Sequence, residues 1–269
     1  MLGAIAGDII GSRFELRPTQ DKAFALFDPE CRFTDDTVLT VAIASGLLED
    51  QYYDDRRQHY VEHLHDWFAQ YPDAGYGESF QSWADDRKRQ PYNSWGNGSA
   101  MRVSPVGWAF ASLEQTLAEA ETTAATTHNH PEGMRGARAI AAAIYLARTG
   151  GSQESIGDYI ASVHGYDLSV PIEEQRRTYH FDVSCAGSVP QAVRCFLESH
   201  DYESAIRNAV SLGGDTDTLC CMSGAIAEAY YGGVPPPIAV MALTFLDSPL
   251  RDVLTRFASK YAVPMPWDD

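Results

Sequence analysis

Two stretches far apart in the chain set acids and hydroxyls at the head of an apolar run. One is RFTDDTVLTVAIA, with Thr34, Asp35 and Asp36; the other is LGGDTDTLCC, with Asp215, Asp217 and Thr218. Asp and Thr are favoured at helix N-termini, where they accept hydrogen bonds from orphan N–H groups, so either stretch alone reads as an ordinary helix start. Together they hold more acid than two caps need. The apolar residues behind them place the carboxylates at the edge of a core, where buried charge must be compensated. No Lys or Arg stands between Thr34 and Asp36 or between Asp215 and Thr218. A metal ion is the remaining compensator, and a carboxylate–hydroxyl set is hard, suiting Mg²⁺, Mn²⁺ or Ca²⁺ rather than Zn²⁺. Six such side chains suffice for two bridged ions with positions left for water or substrate. Both helix N-termini would turn their positive ends toward those ions, and four carboxylates are there to outweigh them.

Three other segments carry candidate chemistry. In WGNGSAMRVSPVGWA, Gly96 and Gly98 flank Asn97 ahead of an apolar segment. A glycine turn entering a helix exposes N–H groups that can cradle phosphate, although a plain tight turn fits the pattern too. TTHNHPEG sets His128 and His130 two apart, with Pro131 opening a helix. No soft third ligand lies nearby, so phosphate contact or hydrogen bonding is expected of them, against a cap-and-turn role. In the N-terminal segment MLGAIAGDIIGSRFEL, read as one helix, Asp8 and Glu15 are seven apart and share a face. An acid buried there needs a partner or a task. His59, His63 and His65 stand on an amphipathic helix and read as a solvated face.

The elements that must position these residues are helical. Apolar spacing is helix-like nearly throughout, strand-like alternation is scarce, and breakers sit at Gly150-Gly151, Gly213-Gly214, Gly232-Gly233 and Pro235 to Pro237. The expectation is one all-α domain over residues 1–269, of about a dozen helices by that spacing. YGESFQSWADDRKRQ is read as a polar, exposed helix. Pro18 to Phe33 and Leu168 to Val183 are irregular, and loops of that length are usually functional or mobile. The final WDD is expected to fray.

Composition narrows the class. With 45% hydrophobic residues in 269, the chain can bury a sizeable core. A formal net charge of −17 argues against a broad nucleic-acid or anionic-membrane surface. No apolar run approaches the roughly 18 residues needed to cross a bilayer. Asp8 interrupts the apolar N-terminus and no basic residues precede it, so it reads as a mature helix rather than a targeting segment. Five cysteines, odd in number and without a CxxC, point to a reduced, cytoplasmic protein.

GDIIGSRFE, FTDDT, GNGSAMR, THNHPEG and GGDTDT, in this order between about Gly7 and Gly233, resemble the motifs of the ADP-ribosylglycohydrolases. This is the family of dinitrogenase-reductase-activating glycohydrolase and the ADP-ribosyl-arginine hydrolases. The resemblance implies an orthogonal all-α bundle with a binuclear Mg²⁺ or Mn²⁺ site on Thr34, Asp35, Asp36, Asp215, Asp217 and Thr218. It implies that Glu15 stands near the scissile bond, with Glu15, Asp35 and Asp217 as the catalytic acids. Backbone groups of Asn97, Gly98, Ser99, Ala100 and Met101 would hold a diphosphate, His128 would contact phosphate or ribose, and Ser188 would line the adenosine end. The implied reaction is hydrolysis of the glycosidic bond between ADP-ribose and an acceptor, a protein side chain such as arginine or a small molecule, with ADP-ribose released. RKRQPYNSW, ahead of GNG, lacks the acid that helps some relatives recognise arginine; Asp85 and Asp86 are the nearest substitutes. Two other readings stand beside this one: a dinuclear-metal nucleotide phosphohydrolase, and a non-catalytic ADP-ribose-binding module.

Overall fold

The apolar spacing of the sequence resolves, in a computed structural model describing residues 1–49 and 55–266, into fifteen helices. In chain order they are α1 Leu2–Gly11, α2 Asp35–Leu48, α3 Arg56–Gln70, α4 Glu78–Asp85, α5 Gly98–Met101, α6 Ser104–Ala109, α7 Leu113–Ala124, α8 Pro131–Arg148, α9 Gln153–His164, α10 Ile172–Gln175, α11 Cys185–Leu197, α12 Tyr202–Leu212, α13 Thr216–Tyr231, α14 Pro236–Thr244 and α15 Ser248–Tyr261. The all-α expectation holds: among the described residues, extended pairing is confined to one bridge between Gly96 and Ser184. The count exceeds the expected dozen because α5, α6 and α10 span only 4, 6 and 4 residues, too few to display a helical period. None of the described helices is long and apolar enough to cross a membrane. The five cysteines are unpaired and buried.

Helices α1 and α13 form the centre. Every residue of α1 is buried, and α13 is buried from Thr216 to Ala229, so neither has a polar face to give to solvent. They meet backbone to backbone. A Cβ built on Gly7 would lie 2.2 Å from the Cys220 carbonyl oxygen, and one on Gly11 would lie 2.4 Å from that of Thr216. Glycine at these positions lets the start of α13 rest on the end of α1, and the Thr216 hydroxyl ties the two by donating to the Gly11 carbonyl at 3.0 Å.

Several expectations need correction. The N-terminal helix ends at Gly11, not near Leu16. Ser12 turns back onto Ile9 through its hydroxyl, and Leu16 is 81% exposed, so the apolar spacing past Gly11 is not helical packing. Glu15 therefore leaves the Asp8 face. Helix α4 is not a polar, exposed helix: Phe80 and Trp83 are buried. Nor are the α3 histidines a solvated face. His59 and His65 are buried, with Nε2 atoms 3.1 Å from the Gly46 carbonyl and 2.9 Å from the Lys88 carbonyl. His65 also stacks on Trp83 at 4.2 Å. Pro18 to Phe33 holds no helix, as expected, whereas Leu168 to Val183 contains α10. The terminal WDD lies outside the described residues.

The α1–α13 contact generates a test. Gly7→Ala forces a methyl into backbone that cannot swing aside, and overpacking of this kind costs about 1–3 kcal/mol. At about 2–4 °C per kcal/mol for a chain of this size, the thermal midpoint should fall by about 5–10 °C. Gly77→Ala, where nothing lies within 4 Å of the added Cβ, is the control and should melt with the unmodified protein.

Candidate active site

The two acidic stretches meet. Thr34 is the N-cap of α2, its hydroxyl accepting from the Asp36 N–H at 3.2 Å, and Asp215 takes the corresponding place on α13 with no side-chain cap bond. Both are therefore helix starts, as the bland reading of each had it. They also face each other: the Thr218 hydroxyl of α13 donates to Asp36 Oδ2 of α2 at 3.2 Å. Gly213 and Gly214, at φ +78° and +76°, make the turn between α12 and α13 that an L side chain would strain.

Asp8 of α1, whose task the sequence left open, sets the other half. It is fully buried and accepts four hydrogen bonds, from the N–H and hydroxyl of Thr34 (2.9 and 2.7 Å) and from the N–H (3.1 Å) and hydroxyl of Thr37. Its carboxyl satisfies the orphan donors at the start of α2. Because the Thr34 proton goes to Asp8, the remaining lone pair of that hydroxyl is free to face a cation.

The glycine turn closes the third side. Asn97 Nδ2 donates to Asp215 Oδ2 at 2.7 Å, and the Met101 carbonyl accepts from Thr40 of α2 at 3.4 Å and Cys221 of α13 at 3.3 Å. Helix α5 is thereby seated across both acidic helices. The N–H groups of Ala100 and Met101 bond back to the Asn97 carbonyl at 2.8 and 2.9 Å. Gly98 and Ser99 are the N–H groups of this turn that meet no acceptor among the described residues.

These elements enclose a cleft of about 740 Å³, within the range typical of small-molecule sites. Glu15, Thr34, Asp35, Asp36, Asp215, Asp217 and Thr218 line it, together with Asn97, Gly98, Met101, Arg102 and His128. Arg32 stands at its mouth, as do Asp73 and Glu78. Three predicted residues are not brought to the cleft surface. Ser99 is buried and donates to the Gly133 carbonyl at 2.7 Å; Ala100 packs in the core; Ser188 is buried on α11, donating to the Ser184 carbonyl at 2.6 Å. Each turns inward because its helix face is the packed one. Asp85 and Asp86 also lie outside the cleft, and Asp86 is paired with Lys88 at 2.7 Å. Of the two neighbouring histidines, His128 reaches the cleft, while His130 caps α8 by accepting from the Glu132 N–H at 3.1 Å.

The electrostatics are those of crowded acid. Burial, then repulsion from Asp8 and Asp215, pushes Asp35 up to about 8. Burial, then Asp8 and Asp35, raises Asp36 well above the usual carboxylate range, and burial, then Asp215 and Asp36, does the same to Asp217. Asp8 rises to about 6, burial outweighing its four donors. Glu15 is raised by burial and by Asp215, against a smaller pull from Arg32. Asp36 Oδ1 is buried without a hydrogen-bond partner among the described residues. An orphaned carboxylate oxygen in a knot of mutually repelling acids and hydroxyls is what a hard divalent cation would satisfy, so these residues fit Mg²⁺ or Mn²⁺. The aspartate oxygens are spread along the cleft. Among the described residues, three His, Cys, Asp or Glu ligand atoms come within 4.8 Å of one another elsewhere, at the Glu49 carboxylate and the His59 and His63 imidazoles.

With this geometry in view, the relatives are informative. The ADP-ribosylglycohydrolase family model matches residues 1–265. The chain is 28% identical to human ADP-ribosylhydrolase ARH3, over 86% of this chain and 84% of that one. It is 26% identical to a putative ADP-ribosyl glycohydrolase of Acanthamoeba polyphaga mimivirus, over 99% and 94%. A solved structure titled ADP-ribosylglycohydrolase-related protein complex superposes with a TM-score of 0.72 at 23% identity, covering 98% of this chain and 97% of that one, which shows a shared fold.

The raised carboxyls predict a pH dependence. Asp8 and Asp35 have folded values of about 6 and about 8, against about 3.9 in an unfolded chain. Their neutral forms favour the fold, so the stability they contribute is complete below the unfolded value and is lost as pH rises through the folded ones. In chelator, the thermal midpoint should fall between about pH 5 and pH 8. Added Mg²⁺ or Mn²⁺ should raise it, and raise it more at the upper end, since ligand carboxylates must be ionised. Thermal melts across that range, with and without metal, check both slopes.

Proposed function

The chain belongs to the ADP-ribosylglycohydrolase family, and on that premise we propose that its cleft releases ADP-ribose from an ADP-ribosylated protein side chain, arginine first among acceptors, with two Mg²⁺ or Mn²⁺ ions as cofactors. As a member of the family the chain is a hydrolase of ADP-ribosyl bonds. One observation carries the reading: two acidic helix starts, a glycine turn with unpaired N–H groups and a buried histidine converge on one cleft of nucleotide-sugar size.

Thr34, Asp35, Asp36, Asp215, Asp217 and Thr218 would hold the ions. When bound, the ions supply positive charge that can hold ribose hydroxyls and lower the pKa of a water. The protein's own groups do the rest. The free N–H group of Gly98 and the His128 ring line the space where a diphosphate would lie, fixing the reacting carbon relative to the acids. Trp95 and Phe181, about half exposed at the cleft edge, offer flat apolar surface to a base. Glu15 stands on the turn after α1 with its proton affinity raised by burial and by Asp215, the direction that favours a carboxyl able to take up a proton. Asp73 and Glu78, both exposed at the mouth, favour a cationic acceptor and so support arginine. The acidic surface speaks against a nucleic-acid partner, and five unpaired cysteines support a reducing, cytoplasmic setting.

Purified protein offered ADP-ribosyl-arginine and ADP-ribosyl-serine proteins with Mg²⁺ or Mn²⁺ should release free ADP-ribose and intact acceptor, arginine faster. Release of AMP or phosphate would overturn the reading in favour of a phosphohydrolase; turnover of serine alone would overturn only the acceptor. Asp217→Ala should abolish both metal binding and turnover. Glu15→Gln should lower kcat by about 10²–10⁴, the usual share of a general acid or base, while ADP-ribose still binds.

A further inference from the structure

His128 reaches the cleft beneath the glycine turn. A Cβ built on Gly98 would lie 3.3 Å from its Nε2, and one on Gly96 would lie 3.7 Å away. The other ring nitrogen faces inward, with Nδ1 2.7 Å from the hydroxyl of Thr127. Both residues are buried. What that ring offers a ligand depends on which nitrogen carries its proton, and the residues behind it decide this.

Arg102 directly follows α5 and is completely buried. Its Nη2 donates to the hydroxyls of Thr127 at 2.8 Å and Thr126 at 3.0 Å, and more weakly to the Thr123 carbonyl at 3.4 Å. No carboxylate lies within ion-pair distance of it among the described residues, and its Nε and Nη1 have no partner there. A guanidinium only donates, so both threonine hydroxyls must accept from it. Each then has one proton left to place. Thr126 places its proton on the Thr123 carbonyl at 2.8 Å. For Thr127 the acceptor at hand is His128 Nδ1. Were Nδ1 the protonated nitrogen, the hydroxyl would accept from both Arg102 and the ring, and its own proton would have no acceptor within hydrogen-bond distance among the described residues, an arrangement proteins avoid in a buried site. Burial and the Arg102 charge also keep the ring neutral, so one nitrogen carries a proton and one does not.

We propose that Arg102 and Thr127 are positioning residues that hold His128 in its Nε2–H tautomer, so that the ring presents a hydrogen-bond donor to an anionic phosphate oxygen over the Gly96–Gly98 turn. The proposal rests on the ADP-ribose reading for its ligand, not for its tautomer. It also sets an anionic group at the far end of a chain of hydrogen bonds that starts at Arg102, a guanidinium without an ion pair among the described residues.

The test uses the full-length protein. Imidazole proton–nitrogen correlation NMR at neutral pH should show His128 protonated on Nε2 in the ligand-free state. Thr127→Val, which keeps shape and removes the hydroxyl, should shift the population toward Nδ1–H and weaken ADP-ribose binding about tenfold, as expected for one hydrogen bond to a charged group. KM should rise with little change in kcat, and Thr127→Ser should restore both tautomer and affinity. A folded Thr127→Val protein with unchanged tautomer and affinity would overturn the proposal, as would Nδ1–H in the unmodified protein. Nε2–H together with no ADP-ribose binding would instead sink the ligand reading, separating the two failures.

Discussion

The site depends on how α1 is held, and α1 is held by its lack of side chains on one face and by a single carboxylate on another. Gly7 and Gly11 allow the α13 backbone to touch it, which brings Asp215, Asp217 and Thr218 to the end of α1. Asp8 takes four donors from Thr34 and Thr37, which brings the start of α2 to the same end. One ten-residue helix thus fixes two acidic helix starts from distant parts of the chain. Neither interaction replaces the other. The glycines set distance without direction, and the carboxylate sets direction because its lone pairs must meet particular N–H and hydroxyl groups.

Packing the acids this way works against the fold. Burial and mutual repulsion raise Asp35, Asp36 and Asp217 far above ordinary carboxylates, and Asp36 Oδ1 is left without a partner among the described residues. A chain selected for stability alone would not gather these groups; strain of this kind is characteristic of functional sites. The wall beneath the glycine turn carries the opposite problem in Arg102, a buried cation with no acid within ion-pair distance among the described residues. A ligand with a cation-binding sugar end and an anionic diphosphate would relieve both walls at once, and ADP-ribose has that polarity.

Much of this was legible in the sequence because it lies in short, local patterns. The order of the FTDDT, GNGSAMR, THNHPEG and GGDTDT segments pointed to the family, and helix-start chemistry placed Thr34 and Asp215 where the structure has them. What depends on a helix face or on a distant partner was not legible. The end of α1 was overrun because Phe14 and Leu16 continue an apolar rhythm past Gly11, although Phe14 is packed from a turn, against Phe24, and Leu16 is exposed. Ser188 turns into the core, and His65 lies under Trp83, since a sequence does not state which side of α11 or α3 is covered. Asp73, in the loop before α4, and Glu78, at the start of α4, reach the cleft because that loop meets α2, the Asp35 N–H donating to the Ala74 carbonyl at 2.9 Å, and no local motif marks them.

The most direct measurement of the central claim, that the two helix starts form one two-ion site, is a crystal structure of the Mn²⁺-soaked protein with anomalous scattering recorded at the manganese edge. The account predicts two manganese peaks in the cleft, held among Thr34, Asp35, Asp36, Asp215, Asp217 and Thr218, with Asp36 Oδ1 satisfied by one of them. A cleft without manganese, or manganese found only at Glu49, His59 and His63, would contradict it.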